Sequence, residues 1–189
     1  MNMIKKISMM TALFTSPLFA GSSPDWVHIE MGTYGGSGCP GGSDINLVDN
    51  DDPKKIEVAI EDIKITTERF ARKNCGVSIR VDHPEGWQYA VKSFDTEVFS
   101  KLSWNANARL TSYAYFQGKM EQTNFEAEWT GRFRGQFEVH DTIPHHKLNW
   151  SSCHGESILN TNTAVRTVGG DAQVKLKNQL NFGLVWRQC

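Results

Sequence analysis

The chain lacks the short motifs that announce common chemistries. It has no G-x-S-x-G elbow, no H-E-x-x-H pair, no G-x-x-x-x-G-K phosphate loop and no C-x-x-C pair. It lacks an excess of charge of either sign: 20 Lys and Arg stand against 21 Asp and Glu, a formal net charge of −1. That balance offers no long-range field for nucleic acid or an anionic membrane surface. An apolar run long enough to cross a membrane is also missing. The longest, residues 7–19, has 13 positions, against the roughly 20 a spanning helix needs. No long window carries apolar residues at the 3.6-residue period of a helix.

What is present begins with a leader. Lys5 and Lys6 precede the apolar stretch, Pro17 breaks it near its end, and Ala20-Gly21 supplies small residues. Positive charge, apolar core and small-residue site form the pattern of a secretory signal cleaved near Ala20. The expected organisation is a signal peptide over 1–20 and one β-rich secreted domain over 21–189, long enough for a single core. Loss of Lys5 and Lys6 takes the formal charge to −3. A secreted or periplasmic location is expected, with no stable membrane anchor and no nucleic-acid partner.

Residues 21–55 read as loop. The segment is dense in glycine through Gly41-Gly42 and closes on the turn cluster Asp49-Asn50-Asp51-Asp52-Pro53. Period-two alternation then begins. Ile56, Val58 and Ile60 share one parity, the phase slips at Asp62-Ile63, and Ile65 continues it. Val77, Ile79 and Val81 alternate cleanly after Cys75, and Trp87, Tyr89 and Val91 follow the turn Pro84-Glu85-Gly86. Near the C-terminus Leu176, Asn178, Leu180, Phe182, Leu184 and Trp186 fall on one face. Many short strands with polar turns predict an all-β domain, an antiparallel two-sheet sandwich, with a jelly-roll or closed barrel as the alternative.

Cys39, Cys75, Cys153 and Cys189 stand at two equal gaps of 36. An even count behind a leader reads as two disulfides formed in an oxidising compartment. Three pairings exist. Cys39 with Cys75 and Cys153 with Cys189 is favoured, because shorter loops close at lower entropic cost.

Several groups qualify as site candidates. His140, His145, His146 and His154, with Asp141, are clustered, and imidazoles with a carboxylate suit zinc or copper; a solvated loop is the plainer reading. Asp44, Asp49, Asn50, Asp51 and Asp52 offer hard oxygens for calcium, but without the EF-hand spacing they read as a turn. Glu126 and Glu128 share one strand face and form the carboxylate pair that glycoside hydrolysis uses, or merely a wet face. Among the aromatics, Tyr113 and Tyr115 share a parity, and Trp104 lies in a polar Ser-Trp-Asn context. These three are the candidates for an exposed contact surface. Asn149-Trp150-Ser151 is a glycosylation sequon.

Several segments, in order, resemble a family of secreted fungal and bacterial proteins known as domain of unknown function family 4360. They are Gly38-Cys39-Pro40-Gly41-Gly42-Ser43, Arg72-Lys73-Asn74-Cys75, Pro84-Glu85-Gly86-Trp87, Trp150-Ser151-Ser152-Cys153-His154-Gly155 and Leu159-Asn160-Thr161. The resemblance implies export, paired cysteines and a β-rich domain, and brings no catalytic residue with it. The expected function is a secreted, non-catalytic binding protein for a surface, glycan or protein partner, with no cofactor. A secreted carboxylate-dependent hydrolase and a toxin or membrane-active factor are the alternatives.

Overall fold

The computed structural model describes residues 23–60 and 63–189. The leader expected over 1–20, with Lys5, Lys6 and the cut near Ala20, lies outside the described residues, as do Glu61 and Asp62.

In chain order the strands are β1 (His28–Gly35), β2 (Asn46–Leu47), β3 (Lys55–Ala59), β4 (Ile63–Thr67), β5 (Phe70–Asp82), β6 (Trp87–Leu102), β7 (Asn107–Phe116), β8 (Gln122–Thr130), β9 (Phe133–Thr142), β10 (Glu156–Val168) and β11 (Ala172–Gln188). Five form one antiparallel sheet in the order β1-β5-β10-β7-β8. The second sheet runs β2-β3-β11-β6-β9, with β4 also paired to β11. The protein is an antiparallel two-sheet sandwich, and the sheets do not close into the barrel that was the alternative. From β4 onward the chain changes sheet at every connection except β7 to β8. Partners are therefore distant in sequence, as where Val77 of β5 meets Thr161 of β10.

Alternation explains the layering. Cys75, Val77, Ile79 and Val81 of β5 point inward, and Leu159, Thr161, Thr163 and Val165 of β10 lie beside them. From the other sheet come Phe94, Val98, Leu176 and Phe182. Phe94 bridges the layers, 5.9 Å from Phe125 and 5.3 Å from Phe182 between ring centres. At one end Tyr89 packs on Trp186 and Phe116, and burial pushes its hydroxyl pKa well up. Thr163 Oγ1 and Ser112 Oγ, both buried, satisfy each other at 2.8 Å.

The phase slip at residue 62 is real. β3 and β4 are two halves of one strand position against β11, separated by residues 60–62. β11 answers with a bulge between Lys177 and Leu180. Asn178 sits there at φ 37° and is exposed, so it leaves the apolar stripe that its parity assigned it to.

Residues 21–55 are not all loop. β1 and β2 fall within them, and β1 pairs with β5 along an edge. An edge strand tolerates the glycines and the irregularity between Met31 and Tyr34 that obscured its alternation. Past β1 the chain crowds against Asn74. A side chain on Gly36, at φ 147°, would stand 2.2 Å from the Asn74 carbonyl oxygen, and one on Gly38 would stand 3.1 Å from it. Only glycine fits there. The Gly38 N–H donates to that oxygen at 2.8 Å, and Cys39 next to it bonds Cys75.

The disulfides are Cys39–Cys75 and Cys153–Cys189. Their surroundings differ. Cys39 and Cys75 are 2% and 0% exposed, whereas Cys153 is half-buried and Cys189 exposed. Under native conditions a mild reductant should open Cys153–Cys189 first, detected by alkylation and peptide mass. Simultaneous loss of both, or the reverse order, would refute the burial difference. Replacing Cys39 and Cys75 by alanine should lower the unfolding free energy by about 4 kcal/mol, the loop-entropy value for a bond across a 36-residue separation.

Candidate functional site

The outer face of the five-stranded sheet is built from the residues that the core leaves over. On β10 these are Asn160, Asn162, Ala164 and Arg166, spaced by two, covering about 20 Å at roughly 3.3 Å per residue. β5 and β7 flank them in register. Ser78, Asn160 and Tyr115 form one cross-strand row, and Gly76, Asn162 and Tyr113 the next. Asn74, Ala164 and Thr111 follow, then Arg72, Arg166 and Arg109.

The rows enclose a trough. A depression of about 440 Å³ is lined by Asn74, Gly76, Ser78, Tyr115, Asn160 and Asn162, with Tyr34 and Gly35 of β1. A second, about 200 Å³, continues it among Arg72, Arg109, Tyr113 and Arg166. Gly35 and Gly76 are directly paired, so no side chain fills the floor between β1 and β10. Tyr113 is half-buried, while Tyr115 is 39% exposed.

The polar groups are oriented. Asn74 Nδ2 donates to Asn162 Oδ1 at 3.2 Å, and Asn74 Oδ1 accepts from Ser37 Oγ at 3.3 Å. The Asn162 side-chain nitrogen stays available as a donor, and the Asn160 side chain makes no hydrogen bond among the described residues. The Tyr34 hydroxyl donates to the Ser43 carbonyl at 2.6 Å and fixes the glycine-rich segment as a wall. Arg109 is held by Glu126, whose hydrogen bond raises its already high pKa.

Of the sequence candidates, Tyr113 and Tyr115 lie in this trough. Trp104 does not: it is 73% exposed in the turn between β6 and β7. Glu126 and Glu128 lie on the trough's β8 margin, Glu126 ion-paired to Arg109 and Glu128 cross-strand from the same arginine. The chemistry visible at that pair is ion pairing. The aspartates of residues 49–52 make turns: Asp49 Oδ1 accepts from the Asp51 N–H and Asp52 Oδ1 from the Lys54 N–H. Asp44 is exposed just before β2.

The histidines are spread out. His140 is on β9, His145 and His146 are in a 3-10 turn over His145–Lys147, and His154 lines a depression with Phe116 and Lys119. Among the described residues no group of three or more His, Cys, Asp or Glu is placed to hold a metal ion. The sequon nitrogen Asn149 Nδ2 donates to Thr123 Oγ1 at 3.3 Å.

Sequence reasoning missed the asparagines and arginines of the trough. Their signal was the outward parity of β5 and β10, visible in Arg72, Asn74, Gly76 and Ser78 once Val77 and Ile79 are taken as core.

An antiparallel sandwich with an open trough of tyrosine, amide and guanidinium groups on one sheet is the class these observations define. Residues 25–189 match the family described as "Domain of unknown function (DUF4360)", and the chain belongs to that family. A relative from Arthroderma benhamiae, named "Uncharacterized secreted protein", is 31% identical over 158 residues, or 80% of this chain; the chain spans 64% of that relative's length. Among solved structures, TmCBM61 in complex with beta-1,4-galactotriose overlaps at TM-score 0.32 and 10% identity, across 80% of this chain and 92% of that one. The CBM22-1 xylan-binding domain from Paenibacillus barcinonensis Xyn10C overlaps at 0.28 and 13%, across 90% and 99%. Both TM-scores lie below 0.5, and the site rests on its own geometry.

Outside the trough, His140 Nδ1 meets the Asp95 carboxylate on the other sheet. The Asp95 hydrogen bond, then its charge, raise the His140 pKa above 6.5. The pair's stabilisation is present below that ordinary value and is lost as pH rises through the raised one. Both side chains are more than a third exposed, so the effect on stability is small. NMR titration should give His140 a pKa above 6.5 that returns to the ordinary range in Asp95→Asn. An unchanged value in the variant would refute the pairing.

Proposed function

We propose that this protein is an exported, non-catalytic glycan-binding module whose ligand lies along the outer face of the five-stranded sheet. The observation that carries this is the direct cross-strand pairing of two outward tyrosines of β7 with two outward asparagines of β10, beside which the glycine pair Gly35 and Gly76 leaves the face open. A sugar presents both apolar ring faces and hydroxyls that donate and accept. Tyrosine offers a flat apolar surface with a polar tip, and an amide offers a donor and an acceptor from one rigid plane. A pocket with few, oriented polar groups beside aromatic surface is how small polar ligands are held. Two disulfides suit an oxidising compartment, periplasmic or extracellular, and the relative named as secreted agrees with export.

Glycan-array screening followed by calorimetry tests this. Tyr115→Ala and Asn162→Ala should each weaken binding about tenfold, which is roughly 1.4 kcal/mol. Gly76→Val should weaken it without unfolding the protein. Its added carbon meets Gly35 O at 3.5 Å, an ordinary contact, and valine suits a strand better than glycine. Glycan affinity unchanged in all three folded variants would sink the proposal. Turnover of a bound polysaccharide that disappears in Glu126→Gln would replace it with the hydrolase reading.

A further inference from the structure

We propose that the ligand is an acidic polysaccharide, a glycan bearing uronate carboxylates, and that the row Arg72, Arg166, Arg109 receives them. The proposal rests on the glycan reading above and names the chemical class of that ligand.

Three arginines stand directly opposite one another on adjacent strands. Like charges in that register are destabilising. A row that only had to be soluble would not place them so. Their partners within the protein are unequal. Arg109 is ion-paired to Glu126 and lies across from Glu128. Arg72 makes one long contact, Nη1 to Asn74 Oδ1 at 3.5 Å, and Arg166 stacks on the Phe70 ring with its guanidinium 5.4 Å from the centroid. Neither Arg72 nor Arg166 meets a carboxylate among the described residues. Two arginines lining one depression are therefore left without an anion.

The location makes this more than a basic patch. The row lines the 200 Å³ depression together with Tyr113. It sits two registers from the row of Gly76, Asn162 and Tyr113, on the same face. A chain laid along β10 with its rings on the tyrosines brings its next groups over the arginines. Planar guanidinium matches planar carboxylate through two parallel N–H donors. The Arg166 guanidinium is already oriented by Phe70, which reduces the ordering lost on binding. The net charge of −1 provides no general attraction for polyanions, so selection of an anion falls to this row. Glu126 and Glu128 border it and limit the number of carboxylates it accepts.

The test uses the full mature chain in affinity electrophoresis and calorimetry. The probes are oligogalacturonate, the neutral oligosaccharide of the same linkage, and dextran sulfate. The expected result is tighter binding of the uronate than of its neutral counterpart. An Arg72→Gln, Arg166→Gln double variant should lose at least tenfold more affinity for the uronate than for its neutral counterpart. Arg72→Gln alone should melt at or above the wild-type temperature, because it relieves the row. Neutral binding that equals uronate binding, or a double variant that binds uronate as tightly as wild type, would overturn this proposal and leave the glycan reading standing. Dextran sulfate bound as tightly as uronate, and released together with it by moderate salt, would replace it with plain charge attraction. No binding of any glycan would overturn both readings.

Discussion

The period-two alternation of β10 is the constraint on which core and trough both depend. Leu159, Thr161, Thr163 and Val165 face inward, and the residues between them form the outer line Asn160, Asn162, Ala164, Arg166. A slip of one residue would bury the arginine and asparagines and expose the core set. β10 pairs on both sides at once, to β5 through thirteen residue pairs and to β7 through ten. The buried face therefore sets the position of every outward side chain in the trough. Amides and guanidinium groups from β5 and β10 align because the apolar residues beneath them leave no other register.

The staples act on the same frame from two sides. Cys75 opens the inward series of β5, and its partner Cys39 holds the glycine-rich segment against Asn74. Asn74 in turn orients Asn162. A covalent bond in the core thus reaches the trough in two contacts. The second staple works at the far end, where the Cys189 N–H donates to the Gly86 carbonyl and β11 ends against the turn before β6. On its other side the Gly86 N–H donates to the Cys153 carbonyl, and the His83 N–H to the Gly155 carbonyl.

Much of the frame was legible in the sequence. The alternations at residues 56–65, 77–81 and 176–186 became strands, the even cysteine count became two bonds, and the phase slip at residue 62 became the break between β3 and β4. What stayed hidden had physical reasons. β1 is an edge strand whose glycines blur alternation. Asn178 shares parity with core residues but sits in a bulge, and no local pattern separates the two cases. The trough was hidden because its parts are remote in sequence. Arg72, Arg109 and Arg166 become neighbours only when β5, β10 and β7 pair, and that order depends on how the chain passes between the two sheets. Tyr113 and Tyr115 could be found because they are close in sequence and share a parity.

β8 closes one side of the five-stranded sheet and leaves its outer ladder unpaired. One of its donors is taken: the Glu126 N–H is held by Asp141 Oδ2 at 3.0 Å, from the neighbouring β9 of the other sheet. A carboxylate in that position withdraws a hydrogen-bond donor from any incoming strand and repels it if it is acidic. Copies of the chain are thereby discouraged from zipping together edge to edge along β8.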